Sequence, residues 1–208
     1  VWPLETGNGF IFHNDGLALR HSAADGKLIF TLGDGAMGEH TLEAQVPLQP
    51  QQWQHLACTY DGATMRIFLN ATQVAQRPEG FAFRVLPSRP ACVGASNAAN
   101  ALWRGRLDEL ALLRRALGPE EIAALMQGAL PEAAAVAGFW RFDTPPTDLI
   151  VTDDGPHHLA MRLRSKRPAG LQPVWAEGVR GQALELDGYW AEITGNRANR
   201  TGLEQLKA

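Results

Sequence analysis

Paired carboxylates are the residues of this sequence best suited to carry out chemistry. Asp108 and Glu109 are adjacent, and Glu185 and Asp187 are separated by one residue. Retaining glycoside hydrolases use two carboxylates about 5–5.5 Å apart, and alternate residues of one strand share a face. Asp108 and Glu109 are consecutive and are predicted to point to opposite faces of a strand, whereas Glu185 and Asp187 come just before a turn glycine. We therefore predict no catalytic residues.

Other reactive patterns and two classes of partner are also missing from the sequence. It has no Ser/His/Asp nucleophile elbow, no phosphate-binding glycine loop and no H-E-x-x-H pair. The 19 basic and 22 acidic residues give a net charge of −3, which argues against a nucleic-acid partner. No apolar run reaches the roughly 20 residues of a membrane-spanning helix, so membrane insertion is not expected. Cys58 and Cys92 are either two buried thiols or one disulfide bridge.

Short alternating runs separated by turn dipeptides predict that most of these side chains are positioned by antiparallel strands. Asp15-Gly16, Asp25-Gly26 and Asp61-Gly62 supply the positive φ that tight hairpin turns require. Pro119 followed by two glutamates predicts a short helix over residues 119–126. Residues 106–117 have helical propensity. The spacing of the turns indicates a sandwich or a barrel.

Three stretches of the sequence resemble laminin G-like domains of the concanavalin A-like lectin/glucanase jelly-roll superfamily. Residues 53–70 contain W-Q-H-L-A-C-T-Y-D-G, residues 93–122 contain G-R-L-D-E-L and R-A-L-G-P-E-E-I, and residues 138–188 contain G-F-W-R-F-D and W-A-E-G-V-R-G-Q-A-L-E-L-D-G. The resemblance implies an all-β antiparallel jelly-roll sandwich with one short helix near 119–126. It also implies a strand over 106–113, where propensity alone favours a helix.

The order of the three stretches indicates a circularly permuted domain. The third stretch looks like the beginning of such a domain, yet it comes last. We expect one sandwich over residues 1–193, with 1–128 as its main part, 138–193 completing it and 194–208 as a tail. In the alternative, 1–128 is the end of one repeat and 138–208 is the start of a second.

The resemblance also implies candidate sites at the rim of the sandwich. Calcium is the cofactor expected, because relatives hold it there with oxygen ligands; the candidate ligands are Asp108, Asp143, Asp153 and Asp154. Sugar-binding faces present aromatic rings surrounded by Asn and Asp. Trp103 is the best candidate for an exposed ring, with Asn97 and Asn100 beside it. Three other tryptophans are predicted to lie in the core: Trp53, Trp140 and Trp175.

Together these observations favour a non-catalytic module that binds a glycan or a protein partner. We expect it to belong to a longer chain with other domains, exported to an extracellular, periplasmic or cell-surface location, although residues from Val1 onwards do not form a signal peptide. Three alternatives stay open: an accessory domain of an enzyme, a jelly-roll glycosidase or lyase, and a structural or oligomerisation domain.

Overall fold

Antiparallel strands form most of the protein, as a computed structural model shows. The structure describes residues 1–4, 9–35, 38–84, 90–96, 98–146, 148–165, 174–187 and 189–194. Within these residues it contains four sheets, one α-helix and one short 3-10 turn. The predicted all-β fold class is confirmed. In the same residues no helix is both long enough and apolar enough to span a membrane.

The largest sheet has eight strands. Numbered along the chain and given in their order across the sheet, they are β13 (Ile150–Val151), β14 (Ala160–Ser165), β17 (Tyr189–Thr194), β9 (Ala91–Val93), β2 (Gly9–Asn14), β3 (Leu17–Ser22), β4 (Lys27–Gly33) and β5 (Glu39–Gln45). The predicted hairpins of the first 45 residues form one edge of this sheet.

Three smaller sheets complete the strands. The four-stranded sheet has the order β1 (Trp2–Pro3), β10 (Gly105–Leu107), β16 (Gln182–Glu185) and β15 (Val174–Glu177). The three-stranded sheet is β6 (Leu56–Tyr60), β7 (Thr64–Leu69) and β8 (Thr72–Pro78). The two-stranded sheet pairs β11 (Leu110–Leu113) with β12 (Val136–Trp140).

Strands from the last third of the sequence lie inside sheets that the first part begins. Ala191 of β17 is opposite Val93 of β9, and β9 in turn pairs with β2. Leu184 of β16 is opposite Leu107 of β10. Both of these sheets therefore contain strands from early and late parts of the chain.

One hydrophobic cluster joins all four sheets. It includes Phe30 of β4, Ile67 of β7, Leu107 of β10, Trp140 of β12 and Ile193 of β17, each at most 3% exposed. Burial of such side chains is the main favourable contribution to folding, at roughly 25 cal/mol per Å² of apolar surface. Both parts of the chain thus share a core.

The helix α1 (Pro119–Met126) is confirmed with the predicted bounds. Glu121 accepts a hydrogen bond from the main-chain N–H of Gly118 at 3.0 Å, which satisfies one of the free donors at the helix start. The Arg115 guanidinium donates to both Glu121 and Glu132. The R-A-L-x-x-x-E-I pattern of the sequence therefore serves to position this helix.

The predicted strand over residues 106–113 is confirmed, but it is broken in the middle. β10 ends at Leu107 and β11 begins at Leu110. Glu109, between them, has φ of +53°, which turns the chain through the left-handed region. Pairing with β16 and β12 overrides the helical propensity of this segment.

Candidate functional site

A pocket of about 230 Å³ lies where the three smaller sheets meet the end of the helix. We call it the corner pocket. Its lining comes mainly from loops and turns: Val1, Trp53, Gln54, His55, Asn70, Asp108, Glu109, Leu125, Met126, Phe139, Val179 and Arg180. It combines aromatic residues, other apolar residues, two acidic residues and one arginine.

Asp108 and Glu109 both line this pocket, so the prediction that they point to opposite faces of a strand is wrong. The alternation of side chains holds only within a regular strand. Because these two residues lie in the break between β10 and β11, and because Glu109 is left-handed, the alternation is lost.

Asp108 holds the turn between β15 and β16. Its Oδ2 accepts hydrogen bonds from the main-chain nitrogens of Val179 at 2.7 Å and Arg180 at 3.2 Å. Asp143 holds the far end of the same turn, because its Oδ1 accepts a hydrogen bond from the main-chain nitrogen of Gln182 at 3.0 Å. Gly181 has φ of +53°, and a Cβ there would clash with Asp143. The two aspartates position a turn.

The other two candidate calcium ligands lie outside the corner pocket lining. Asp153 is 5% exposed and accepts hydrogen bonds from the main-chain nitrogens of Phe139 (2.8 Å), Gly155 (2.6 Å) and Leu159 (2.9 Å). Asp154 accepts from the main-chain nitrogen of Arg141 at 3.1 Å. Across the described ranges, no three His, Cys, Asp or Glu side chains are grouped to hold a metal ion. Asp108 and Asp143 hold one turn while Asp153 and Asp154 bind main-chain nitrogens elsewhere, and calcium binding by any of the four stays a prediction.

The predicted exposed aromatic ring is buried. Trp103 is 1% exposed and belongs to the main core, so its ring offers no face to a ligand, and that prediction is wrong. Asn100 is exposed but closes a tight loop with Ser96, whose hydroxyl oxygen lies 2.5 Å from Asn100 Oδ1. Asn97 lies outside the described residues. Neither Trp103 nor Asn100 lines the corner pocket.

The other tryptophans divide between the core and the pocket. Trp140 is fully buried, as predicted, and its Nε1 donates to Leu159 O at 3.1 Å. Trp175 is partly buried and donates to Phe142 O at 2.7 Å. Trp53 is only partly buried and lines the corner pocket, so it is the tryptophan available there. Both cysteines are free thiols.

The side chain of Arg180, in the turn between β15 and β16, contacts two other parts of the pocket wall. Its Nη2 donates to the main-chain oxygen of Met126, at the end of α1, at 3.0 Å. Its Nη1 lies 3.5 Å from Glu109 Oε2. A helix C-terminus carries partial negative charge that favours such a cation. Arg180 thereby links the last third of the chain to the helix.

Another part of the pocket wall is built from the segment before β6 and from the turn after β7. His55 N donates to Asn70 Oδ1 at 2.9 Å, and Asn70 N donates to His55 O at 2.8 Å. Gln54 is 6% exposed, and its carboxamide makes three hydrogen bonds to Gln49 and Gln52. These bonds fix the segment that carries Trp53.

Burial shifts the titration of three side chains that line the pocket. It raises the pKa of Asp108 and also that of Glu109, which the charge of Asp108 raises further. Burial lowers the pKa of His55 to about 4, helped by the N-terminal amino group and by Arg180. At neutral pH the imidazole is therefore neutral, and two polar atoms of the lining, Asp108 Oδ1 and His55 Nδ1, are buried without a hydrogen-bond partner.

Comparison with models of protein families identifies the family to which this fold belongs. A family model described as the concanavalin A-like lectin/glucanases superfamily (Laminin G 3) matches residues 4–123, more than half of the chain. The chain belongs to this laminin G-like family. The match ends within α1, so the third resembling stretch, residues 138–188, lies beyond it.

Two curated relatives match about half of this laminin G-like chain. Pappalysin-1 of Mus musculus is 33% identical over 108 residues, and pappalysin-1 of Homo sapiens is 32% identical over 108 residues. In each case the match covers 50% of this chain and 7% of the relative. The chain therefore spans only a small part of the length of these relatives.

A solved structure has the same fold over most of the chain. It is described as a "putative carbohydrate binding protein" from Bacteroides ovatus ATCC 8483, with a TM-score of 0.58 and 16% sequence identity. The likeness covers 90% of this laminin G-like chain and 50% of the other. At this identity it shows a shared fold.

Several residues of the corner pocket were not predicted as site residues from the sequence, notably His55, Asn70 and Arg180. They come from three separate loops, and no spacing in the sequence shows that these loops converge. The W-Q-H pattern was the available signal, because it places Trp53 and His55 on the same side of an extended segment.

Proposed function

We propose that this laminin G-like chain is a non-catalytic, lectin-like module that binds a glycan in the corner pocket. The observation that carries the proposal is the lining itself. Partly buried Trp53 lines one small pocket together with Glu109 and Arg180. An aromatic face contacts the C–H side of a sugar, while the carboxylate accepts from hydroxyl groups and the guanidinium donates to them.

The size of the pocket supports a ligand of one sugar unit. Its volume of about 230 Å³ is below the roughly 300–1,000 Å³ of pockets for drug-sized molecules. The terminal unit of an oligosaccharide therefore fits the pocket better than an internal stretch of a long chain would.

A glycan array followed by calorimetry tests this proposal. We expect binding of at least one oligosaccharide, and we expect Trp53→Ala to weaken it by about 10-fold or more through the lost ring contact. Trp175→Phe is the matched control, because Trp175 is also partly buried but lies outside the pocket lining. No binding on the array, or equal losses in both variants, would contradict the proposal.

A glycosidase is the second candidate, favoured by the position of Asp108 and Glu109 in one pocket and by the raised pKa of each. A carboxyl group with a raised pKa is suited to act as a general acid. Release of reducing sugar by the wild-type chain, lost in Glu109→Gln, would replace the binding-module proposal with this one.

Calcium binding and export remain parts of the proposal. Melting of the chain in EDTA and then in excess calcium tests the ion, and a rise in Tm with calcium supports it. Because Asp154 is not grouped with two other His, Cys, Asp or Glu side chains in the described part of the chain, we expect Asp154→Asn to leave any calcium response unchanged. Fractionation of the source cells tests export.

A further inference from the structure

The charges around the corner pocket do not balance. Two carboxylates, Asp108 and Glu109, line it together with one guanidinium, Arg180. That guanidinium donates a hydrogen bond to Met126 O and also lies 3.5 Å from the carboxylate of Glu109. Outside the lining, the charge of Arg141 lowers the pKa of Glu109, whereas that of Asp143 raises it.

The remaining polar groups of the lining do not supply the missing positive charge. Burial lowers the pKa of His55 to about 4, so its imidazole is neutral at pH 7. Asp108 Oδ1 is buried and has no hydrogen-bond partner. A buried acceptor without a donor is costly and calls for a water, an ion or a ligand group.

A positively charged group is the complement of this lining. The raised pKa values of Asp108 and Glu109 mean that their ionised forms are poorly solvated and repel each other. A cation in the pocket would lower both pKa values towards their usual range and would form a charge-assisted hydrogen bond with the accessible carboxylate of Glu109.

We propose that the corner pocket selects a sugar unit with a free, protonated amino group, a hexosamine, over its acetylated or hydroxyl counterpart. This inference rests on the proposed function. Glu109 would bind the ammonium group, Asp108 would add its charge from the buried side, and Trp53 would cover the apolar face of the sugar ring.

Calorimetry with matched oligosaccharides tests this selectivity. The probes are β-1,4-linked glucosamine tetramer and N-acetylglucosamine tetramer, which differ only in the charge and bulk of the amino substituent. The 208-residue chain is used with its affinity tag at the C-terminus, so that Val1 in the pocket wall is not altered, and in slightly acidic buffer, where the sugar amines are protonated. We expect the glucosamine tetramer to bind about 10-fold more tightly or better.

Variants separate the role of Glu109 from general electrostatic attraction. Glu109→Gln keeps the shape of the side chain, and we expect it to abolish most of the preference. Glu43→Gln is the matched control, because it removes a carboxylate from the surface pair with Lys27 on β4 and β5, away from the pocket lining. The control should keep the full preference, and circular dichroism confirms that both variants are folded.

Three outcomes would overturn the inference. Equal or tighter binding of the acetylated tetramer would remove the selectivity and leave the proposed function standing. Tighter binding of a lysine peptide than of the glucosamine tetramer would assign the amine site to a protein ligand. Absence of binding by any glycan would remove the proposed function together with the inference.

Discussion

Asp108 and Arg180 are joined through the backbone rather than through their charges. The Asp108 carboxylate accepts a hydrogen bond from the main-chain nitrogen of Arg180 at 3.2 Å, while the guanidinium of Arg180 reaches Met126 O and Glu109. Asp108 thus fixes the turn that places Arg180 at the pocket. Its neighbour Glu109 carries the carboxylate that meets the guanidinium.

The stability of the protein should fall as the pH is lowered from about 7 to about 5, in part because of His55. Burial lowers its pKa in the folded state to about 4, against about 6.5 in the unfolded chain. The unfolded state therefore binds the proton more strongly between these values, and the native state loses at most about 3 kcal/mol over the whole window.

His55→Asn isolates this contribution, because an amide does not take up a proton. We expect urea unfolding to show a smaller loss of stability on acidification in the variant than in the wild type. The raised pKa values of Asp108 and Glu109 act in the opposite direction, but both groups are common to the two proteins. Parallel pH profiles would contradict the assignment.

Asp153 is predicted to be among the most important polar residues for stability. Replacing it by alanine leaves the main-chain nitrogens of Phe139, Gly155 and Leu159 without their acceptor, at a cost of about 2–4 kcal/mol. Denaturant unfolding measures this loss. Asp154→Ala is the control; it should cost less than about 1 kcal/mol, because Asp154 is exposed and accepts one hydrogen bond from the main chain.

Trp103 should contribute to stability and not to ligand binding. Its ring lies in the core and is 1% exposed, so Trp103→Ala should cost about 3–5 kcal/mol. Trp103→Phe should cost less, since the indole Nε1 has no hydrogen-bond partner in the structure to lose. Thermal unfolding ranks the variants. A folded Trp103→Phe protein that fails to bind a ligand of the wild type would contradict this separation.

We expect the chain to unfold in one cooperative transition, as a single permuted sandwich should. Leu107 and Leu184 face each other across β10 and β16, and both belong to the shared core. Alanine at either position should lower the midpoint of that one transition, with a loss of about 2–5 kcal/mol. Two separate transitions, each sensitive to one of the two substitutions, would instead indicate two partial repeats.

The sequence alone predicts those elements whose structure depends on residues close together in the chain. Pro119 and the two glutamates after it predicted the helix, because its start depends on groups within a few residues. Residues 106–113 needed the family resemblance, since their strand depends on partners far away in the chain. The ring of Trp103 was misplaced because a loop-like composition does not reveal what covers the loop.

The corner pocket was beyond prediction for the same reason. Its walls come from six loops or element ends and from one strand, and their meeting depends on hydrogen bonds such as that from Arg180 to Met126 O. The sequence shows the acidic pair at 108–109, but the strand alternation it predicts does not apply where the chain breaks between β10 and β11. A left-handed glutamate is rare enough that composition gives no warning of it.

The position of β9 between β2 and β17 has a consequence for the order of events during synthesis. A ribosome makes β2 before β9, whereas it makes β17 only much later. Until then the three residues of β9 present unpaired main-chain groups along one edge, which any extended chain can pair with. The nascent protein is thus exposed to wrong association until β17 is made, and a chaperone that shields this edge would act before that strand arrives.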